Sequence, residues 1–217
     1  MNLNQARFNM VEQQIRPWNV FDDKLLTTEL QLNRENFVKP EYRDLAYADI
    51  ELPLPGGQKM LFPRIETRLL QELQLTKKDK VLEIGTGSGF VTAILAKLSD
   101  FVYSIEINDE NRQFAINNLS RTGIKNVTVV AGDGNNGMSV KAPFDKIFVG
   151  GGVEKVSDLL LQQLAIGGKL VAICGKELIM HAMVIERRSE QNFITTTLFE
   201  TTAELLNDAP LTNTFKF

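Results

Sequence analysis

The chain has one cysteine, Cys174, and one histidine, His181. A single cysteine excludes an intrachain disulfide, and the pair makes no Cys/His cluster of the kind that holds zinc. Charge of one sign is also scarce. The 24 basic residues face 27 acidic ones, a formal net charge of -3, with no long run of either. That balance speaks against a general electrostatic partner for nucleic acid. No apolar stretch approaches the length of a membrane span. The start, MNLNQARFNM, lacks the charged, apolar and small-residue succession of a secretory signal. The expectation is a soluble, cytoplasmic protein with no metal, no nucleic acid and no membrane among its partners. A hydrophobic content of 43% over 217 residues suffices for one buried core.

What is present falls into two regions. In residues 1–78, Phe8, Val11, Ile15 and Trp18 recur at helical spacing up to Pro17. Asp22 and Asp23 open a second helix with Leu25, Leu26 and Leu30, and Ile65, Leu69, Leu70 and Leu73 mark a third. Between them ELPLPGGQKMLFP is a loop punctuated by proline and glycine. This region has no clear core of its own and is expected to pack as a helical cover on residues 79–217, the two forming one structural unit.

Residues 79–217 alternate strand and helix patterns. KVLEIG, FVYSIEI, NVTVVAGDG and FDKIFVGG read as strands, with helical faces between them. One such face is expected at Val156, Leu159, Leu160 and Leu164. GGKLVAICG, HAMVIERR and NFITTTLFE are three further strands, the last two joined by a short polar link. Alternation implies a parallel sheet covered on both faces, and a tight link joins antiparallel neighbours. The fold class is therefore α/β: a Rossmann-like sheet, mostly parallel with an antiparallel edge, plus the N-terminal helical cover.

The chemistry lies in VLEIGTGSGF. Gly85, Gly87 and Gly89 fall between the first strand and its helix, at the carboxyl end of the sheet, where open parallel sheets bind ligands. Glycine there permits close backbone approach, and the helix start offers free N–H groups. Phe90 stands where a dinucleotide fingerprint would place its third glycine. Three acids complete the pattern: Glu83 before the glycines, Glu106 ending the second strand, and Asp133 after the third. Together they read as a site for S-adenosyl-L-methionine, whose product is S-adenosyl-L-homocysteine. A nicotinamide oxidoreductase is the other class, and the glycine spacing argues against it. Gly85, Thr86, Gly87, Ser88 and Gly89 are expected to line the methionine and ribose part. Glu106 should bind the ribose with Ile107 beside it, and Asp133 and Gly134 should flank the adenine. Glu83 should orient the loop or reach the cofactor's amino group through water.

The motifs NMVEQQI, ENFVKPEYRDLAYADIELPLPGGQ, VLEIGTGSGF, SIEI, AGDGNNG, APFDKIFV and LLLQQLAIGGKLV resemble, in order, those of the protein-L-isoaspartate O-methyltransferases. The resemblance covers about residues 8 to 175. It implies a class I methyltransferase fold whose N-terminal helices cover the cofactor. The implied activity is methylation of the free carboxylate of isoaspartyl residues in damaged proteins, after which the ester cyclises to a succinimide. A carboxylate is already a nucleophile, so positioning is most of the work.

The acceptor half departs from that pattern. The family's loop T-I-S-Q-P is here KMLFP, with Lys59, Leu61 and Phe62 at the threonine, serine and glutamine positions. The family's terminal V-x-F-V-P-L is replaced by LFETTAELLNDAP, and Ser157 stands at a proline position. Three readings stay open. The chain is an isoaspartyl methyltransferase in which Lys59 attracts the carboxylate, a methyltransferase for another acceptor such as an unknown small molecule, or a cofactor-binding homologue without transfer. No residue is assigned a catalytic role. Simpler roles are expected elsewhere: His181 at a sheet edge, Cys174 as a small buried apolar residue, Trp18 as an anchor, Asp79 in a turn and Asp145 as a structural residue. Lys59 is expected to be solvated, and Met138 is a candidate neighbour of the adenine.

Overall fold

A computed structural model describes residues 2–176 and 179–206. The part of LFETTAELLNDAP from 207 onward lies outside the described residues. Seven strands form one sheet in the order β3-β2-β1-β4-β5-β6-β7. The strands are β1 (Lys80–Ile84), β2 (Phe101–Glu106), β3 (Val127–Ala131), β4 (Phe144–Val153), β5 (Leu164–Lys176), β6 (Ile179–Arg187) and β7 (Phe193–Thr201). Strands β1 to β5 pair in parallel, and β5–β6 and β6–β7 pair antiparallel. The sheet is thus mostly parallel with an antiparallel edge, as the strand and link pattern predicts. His181 is on β6, between β5 and β7, and so is not an edge residue.

Side chains alternate across this sheet, and two hydrophobic clusters follow from that. Val81, Phe148, Val171 and Ile173 point into the larger cluster. Leu82, Ile84, Ile147, Val149, Leu170 and Ala172 point into the smaller one. The larger cluster also takes Met10, Val11 and Ile15 near the N-terminus, Leu25 and Leu26 of α2 (Asp23–Gln31), and Ile65, Leu69, Leu70 and Leu73 of α3 (Pro63–Leu73). Ala93, Ile94 and Leu95 of α4 (Phe90–Leu98) join it. The first helix, α1 (Leu3–Asn9), runs on as a π-helical stretch, Met10–Ile15. Caps set the helix starts. Asp22 accepts from the N–H groups of Lys24 and Leu25, and Asn108 accepts from that of Asn111 at the head of α5 (Asp109–Arg121).

The helix before β5 is shorter than its apolar spacing suggests. α6 spans only Asp158–Gln162, and Leu164 is the first residue of β5. Phe144 N–H donates to the Gln163 carbonyl at 2.8 Å and Leu164 pairs with Phe144, so sheet pairing ends the helix there. Leu159, counted on the apolar face, is exposed. Trp18 anchors the N-terminal segment by an edge contact to Phe199 of β7, ring centroids 5.7 Å apart. Cys174 is buried, and burial pushes its thiol up. Asp145 accepts the Lys80 N–H at 2.8 Å, and Asp79 the Thr76 N–H at 2.7 Å, both structural bonds.

Because α3 shares its core with the sheet, truncating its central leucine should loosen both. Leu69 has no exposed surface. Leu69→Ala is expected to lower the unfolding free energy by about 2–5 kcal/mol in urea denaturation. A loss below about 1 kcal/mol would show that α3 is not packed as described.

Candidate functional site

A pocket opens at the carboxyl ends of β1, β2 and β4. Its floor is the turn after β1, where Gly85, Thr86, Gly87 and Ser88 all line it. Gly85 and Gly87 have φ of +84° and +54°, a backbone that side chains resist. Glu106 ends β2 and is turned back onto this turn. Its Oε2 accepts the Gly87 N–H at 2.9 Å and its Oε1 the Asn108 N–H at 2.9 Å. Each carboxylate oxygen can still accept a further bond from a ligand hydroxyl. Ile107, Asp133 and Gly134 line the wall beside it, and Asp133 accepts the Asn135 N–H at 2.9 Å.

Four predicted site residues lie away from the pocket wall. Glu83 faces the larger cluster between β1, β2 and α4, fully buried. Its Oε2 accepts from Thr92 at 2.6 Å and from Ser104 at 2.5 Å. Ser104 Oγ is 2.6 Å from Thr86 Oγ1, so the carboxylate orients the glycine turn through one intervening hydroxyl. Gly89 is required by its left-handed backbone, φ +82°, and by packing: a Cβ there would sit 3.3 Å from Ala115 and Leu119 of α5. Phe62 is the residue before α3, with the Arg64 guanidinium 4.5 Å above its ring. Met138 packs in the smaller cluster and donates its N–H to Gln163, away from the pocket.

The facing wall is the loop from Glu51 to Phe62. It folds as a small hairpin, with Leu54 N–H to the Gln58 carbonyl at 2.7 Å and Met60 N–H to the Leu52 carbonyl at 2.8 Å. Asn111 holds it to α5, accepting from Gly56 N–H and donating to Gln58, both at 2.9 Å. Lys59 and Leu61 therefore reach the pocket, Lys59 exposed and Leu61 buried.

Other lining residues had no motif to announce them. Gly150 and Gly151 end β4 against the turn, and a Cβ on Gly150 would lie 2.8 Å from the Gly85 carbonyl. The glycine triplet 150–152 was the available signal. Glu204, Leu205 and Leu206 cross this end of β4: Gly152 N–H donates to the Glu204 carbonyl at 2.8 Å, and Leu206 N–H to the Gly152 carbonyl at 2.9 Å. Lys59 N–H donates to the Glu204 carboxylate at 3.2 Å. Glu51 and Glu66 also line the pocket. Glu66 falls at helical spacing with Leu69, Leu70 and Leu73, on the apolar stripe of α3, an unusual place for a charge.

His181 has its Nε2 3.7 Å from the Glu200 carboxylate, outside the pocket. Among the described residues no group of His, Cys, Asp and Glu could hold a metal, and no helix is long and apolar enough to cross a membrane.

A family model for protein-L-isoaspartate(D-aspartate) O-methyltransferase matches residues 5–203. A protein-L-isoaspartate O-methyltransferase of Protochlamydia amoebophila is 41% identical over 169 residues, 78% of this chain and 80% of the relative. One of Petrotoga mobilis is 38% identical over 193 residues, 88% and 91%. A solved protein-L-isoaspartate O-methyltransferase superposes with a TM-score of 0.81 at 25% identity, over 92% of this chain and 65% of that one. A putative one from Plasmodium falciparum, in complex with S-adenosyl-L-homocysteine, gives 0.81 at 21% identity over 93% and 98%, a likeness of fold.

Burial raises the Glu83 carboxyl to about 8, and the Ser104 and Thr92 hydrogen bonds only partly offset it. An acid raised in the folded state stabilises fully below its ordinary value near 4.5, and that contribution is lost as pH rises through about 8. Glu83→Gln should flatten the fall of stability between those limits, by up to about 1.4 kcal/mol per pH unit. Urea unfolding at several pH values reads this directly, and an unchanged slope would mean that Glu83 is ionised in the fold.

Proposed function

The chain belongs to the protein-L-isoaspartate(D-aspartate) O-methyltransferase family, and we propose that it methylates the free carboxylate of isoaspartyl residues in damaged proteins or peptides. The observation that carries this reading is that the family match, residues 5–203, spans both the glycine turn and the Lys59–Leu61 loop that line the pocket.

The residues present fit S-adenosylmethionine. The left-handed glycines give backbone that a ligand can approach closely, and two acids stand at the ends of β2 and β3. We assign Gly85, Thr86, Gly87 and Ser88 to the methionine and ribose end, Glu106 and Ile107 to the ribose, and Asp133 and Gly134 to the adenine. When bound, the cofactor supplies a methyl group activated by the adjoining sulfonium. The chain supplies position and exclusion of water. Leu61, Phe148, Leu205 and Leu206 give the pocket an apolar surface. No general base is needed for a carboxylate acceptor. Lys59, exposed at the rim, is the cation that can draw the carboxylate in. Glu51 and Glu204 stand nearby and oppose a second negative charge. That opposition makes Lys59 the residue on which carboxylate capture depends.

Transfer of labelled methyl from S-adenosylmethionine to a peptide with one isoaspartate tests the reading, with the aspartyl peptide as control. Methylation of the isoaspartyl peptide alone is expected. Cofactor binding without transfer would overturn the assignment and favour a different acceptor. Leu61→Ser restores a hydroxyl facing the acceptor and is expected to raise kcat/KM for that peptide about tenfold, the worth of one hydrogen bond to a charged group. No gain would show that the leucine does not limit the reaction.

A further inference from the structure

Glu66 lines the pocket, yet only 3% of it is exposed. Its Oε1 accepts from Nη1 of Arg34, itself 1% exposed. Glu29 of α2 is buried beside them and accepts from Thr67 Oγ1 at 2.8 Å. Two buried carboxyls therefore stand near one guanidinium, which bonds Glu66 alone, and with both ionised the cluster is one positive charge short. The titration reflects the shortage: burial raises both Glu29 and Glu66 to about 7, and the charge on Glu66 raises Glu29 further. Glu83, on β1, feels the Glu66 charge in the same sense. Among the described residues Glu29 Oε2 has no hydrogen-bonding partner. Buried charge is tolerated when it is paired, so a proton holds the second carboxyl neutral unless another cation replaces it.

Position narrows what the cation is. Glu66 shares the pocket with Gly85, Thr86, Gly87 and Ser88, assigned above to the methionine and ribose end of the cofactor, and its charge is felt by Glu83 just before that turn. The other pocket carboxylates on this side, Glu51 and Glu204, already have Lys59 beside them. We propose that Glu66 binds the α-ammonium of the cofactor's amino-acid end, and that this ammonium completes the charge of the buried Glu29–Arg34–Glu66 cluster. The proposal rests on the cofactor reading given above. Glu66 is a positioning residue: it fixes the amino-acid tail and thereby the direction of the sulfonium methyl.

Calorimetry on the full chain tests it without turnover. The two ligands are S-adenosylhomocysteine and the same thioether lacking the α-amino group, built on 4-thiobutyrate. The wild-type chain is expected to bind the desamino ligand about tenfold more weakly or worse, the usual worth of a charged hydrogen bond. Glu66→Gln is expected to weaken S-adenosylhomocysteine by a similar factor and to leave the desamino ligand unchanged, so that discrimination disappears. Equal binding of the two ligands by the wild-type chain overturns the proposal, whether or not the variant folds. Discrimination that persists in Glu66→Gln also overturns it and assigns the ammonium to another group. A wild-type chain that binds neither ligand overturns the cofactor reading itself, which is a different result.

Discussion

The Glu83 carboxylate is where the sheet, its first helix and the ligand turn meet. It leaves β1 on the face of the larger cluster, accepts from Thr92 on α4 and from Ser104 on β2, and through Ser104 reaches Thr86. Burying a carboxylate costs free energy unless hydrogen bonds replace water. Here only one of its two oxygens is satisfied. The cost is spread over the elements that hold it, and those elements are the ones that shape the pocket. A hydrophobic residue at this position would pack as well and would leave the turn without its polar tether. The acid of the glycine motif acts through the frame and does not touch the ligand space.

The three glycines of the turn have three different neighbours. Leu206 lies where a Cβ on Gly85 would stand, at 2.7 Å, and Leu54 lies 3.3 Å from the same point on Gly87. Helix α5 takes the space beside Gly89. That glycine also opens α4 in a left-handed conformation. The other two admit the apolar side chains of the hairpin loop and of the terminal segment, which together narrow the pocket over the turn. A narrow pocket lowers the local dielectric and strengthens each charge interaction within it.

Much of this was legible in the residues. Short apolar runs in VLEI, KIFV and LVAIC, alternating with helical patterns, marked strands buried on both faces, and each strand lies in the sheet. Glu106, Asp133 and four of the five residues from Gly85 to Gly89 were legible from their position at strand ends as residues of one pocket wall. Leu164 was misplaced because apolar spacing cannot show that a neighbouring strand captures the chain. Gly89 stands outside the pocket lining, and a motif does not reveal which neighbour needs the room. Of the residues missed, Glu66, Glu204, Leu205 and Leu206 belong to segments without a family motif. Glu66 and Glu29 look like ordinary helix glutamates until spacing is counted. Each then falls on the apolar stripe, Glu66 with Leu69, Leu70 and Leu73, and Glu29 with Leu25 and Leu26.

That placement has a consequence for the acceptor half. The loop that carries a serine in the family pattern carries Leu61 here, so polar capacity has gone from that point of the wall. A few residues farther along the same stretch, a carboxylate stands at the pocket surface on α3. The two features act together. Leu61 is apolar and buried and lines the same pocket as Glu66, so the wall that both belong to is partly apolar. An apolar wall raises the cost of leaving a buried carboxylate short of a cation and so raises the gain when one arrives. The departure in the loop and the buried acid on the helix are therefore coupled: the first makes the second effective.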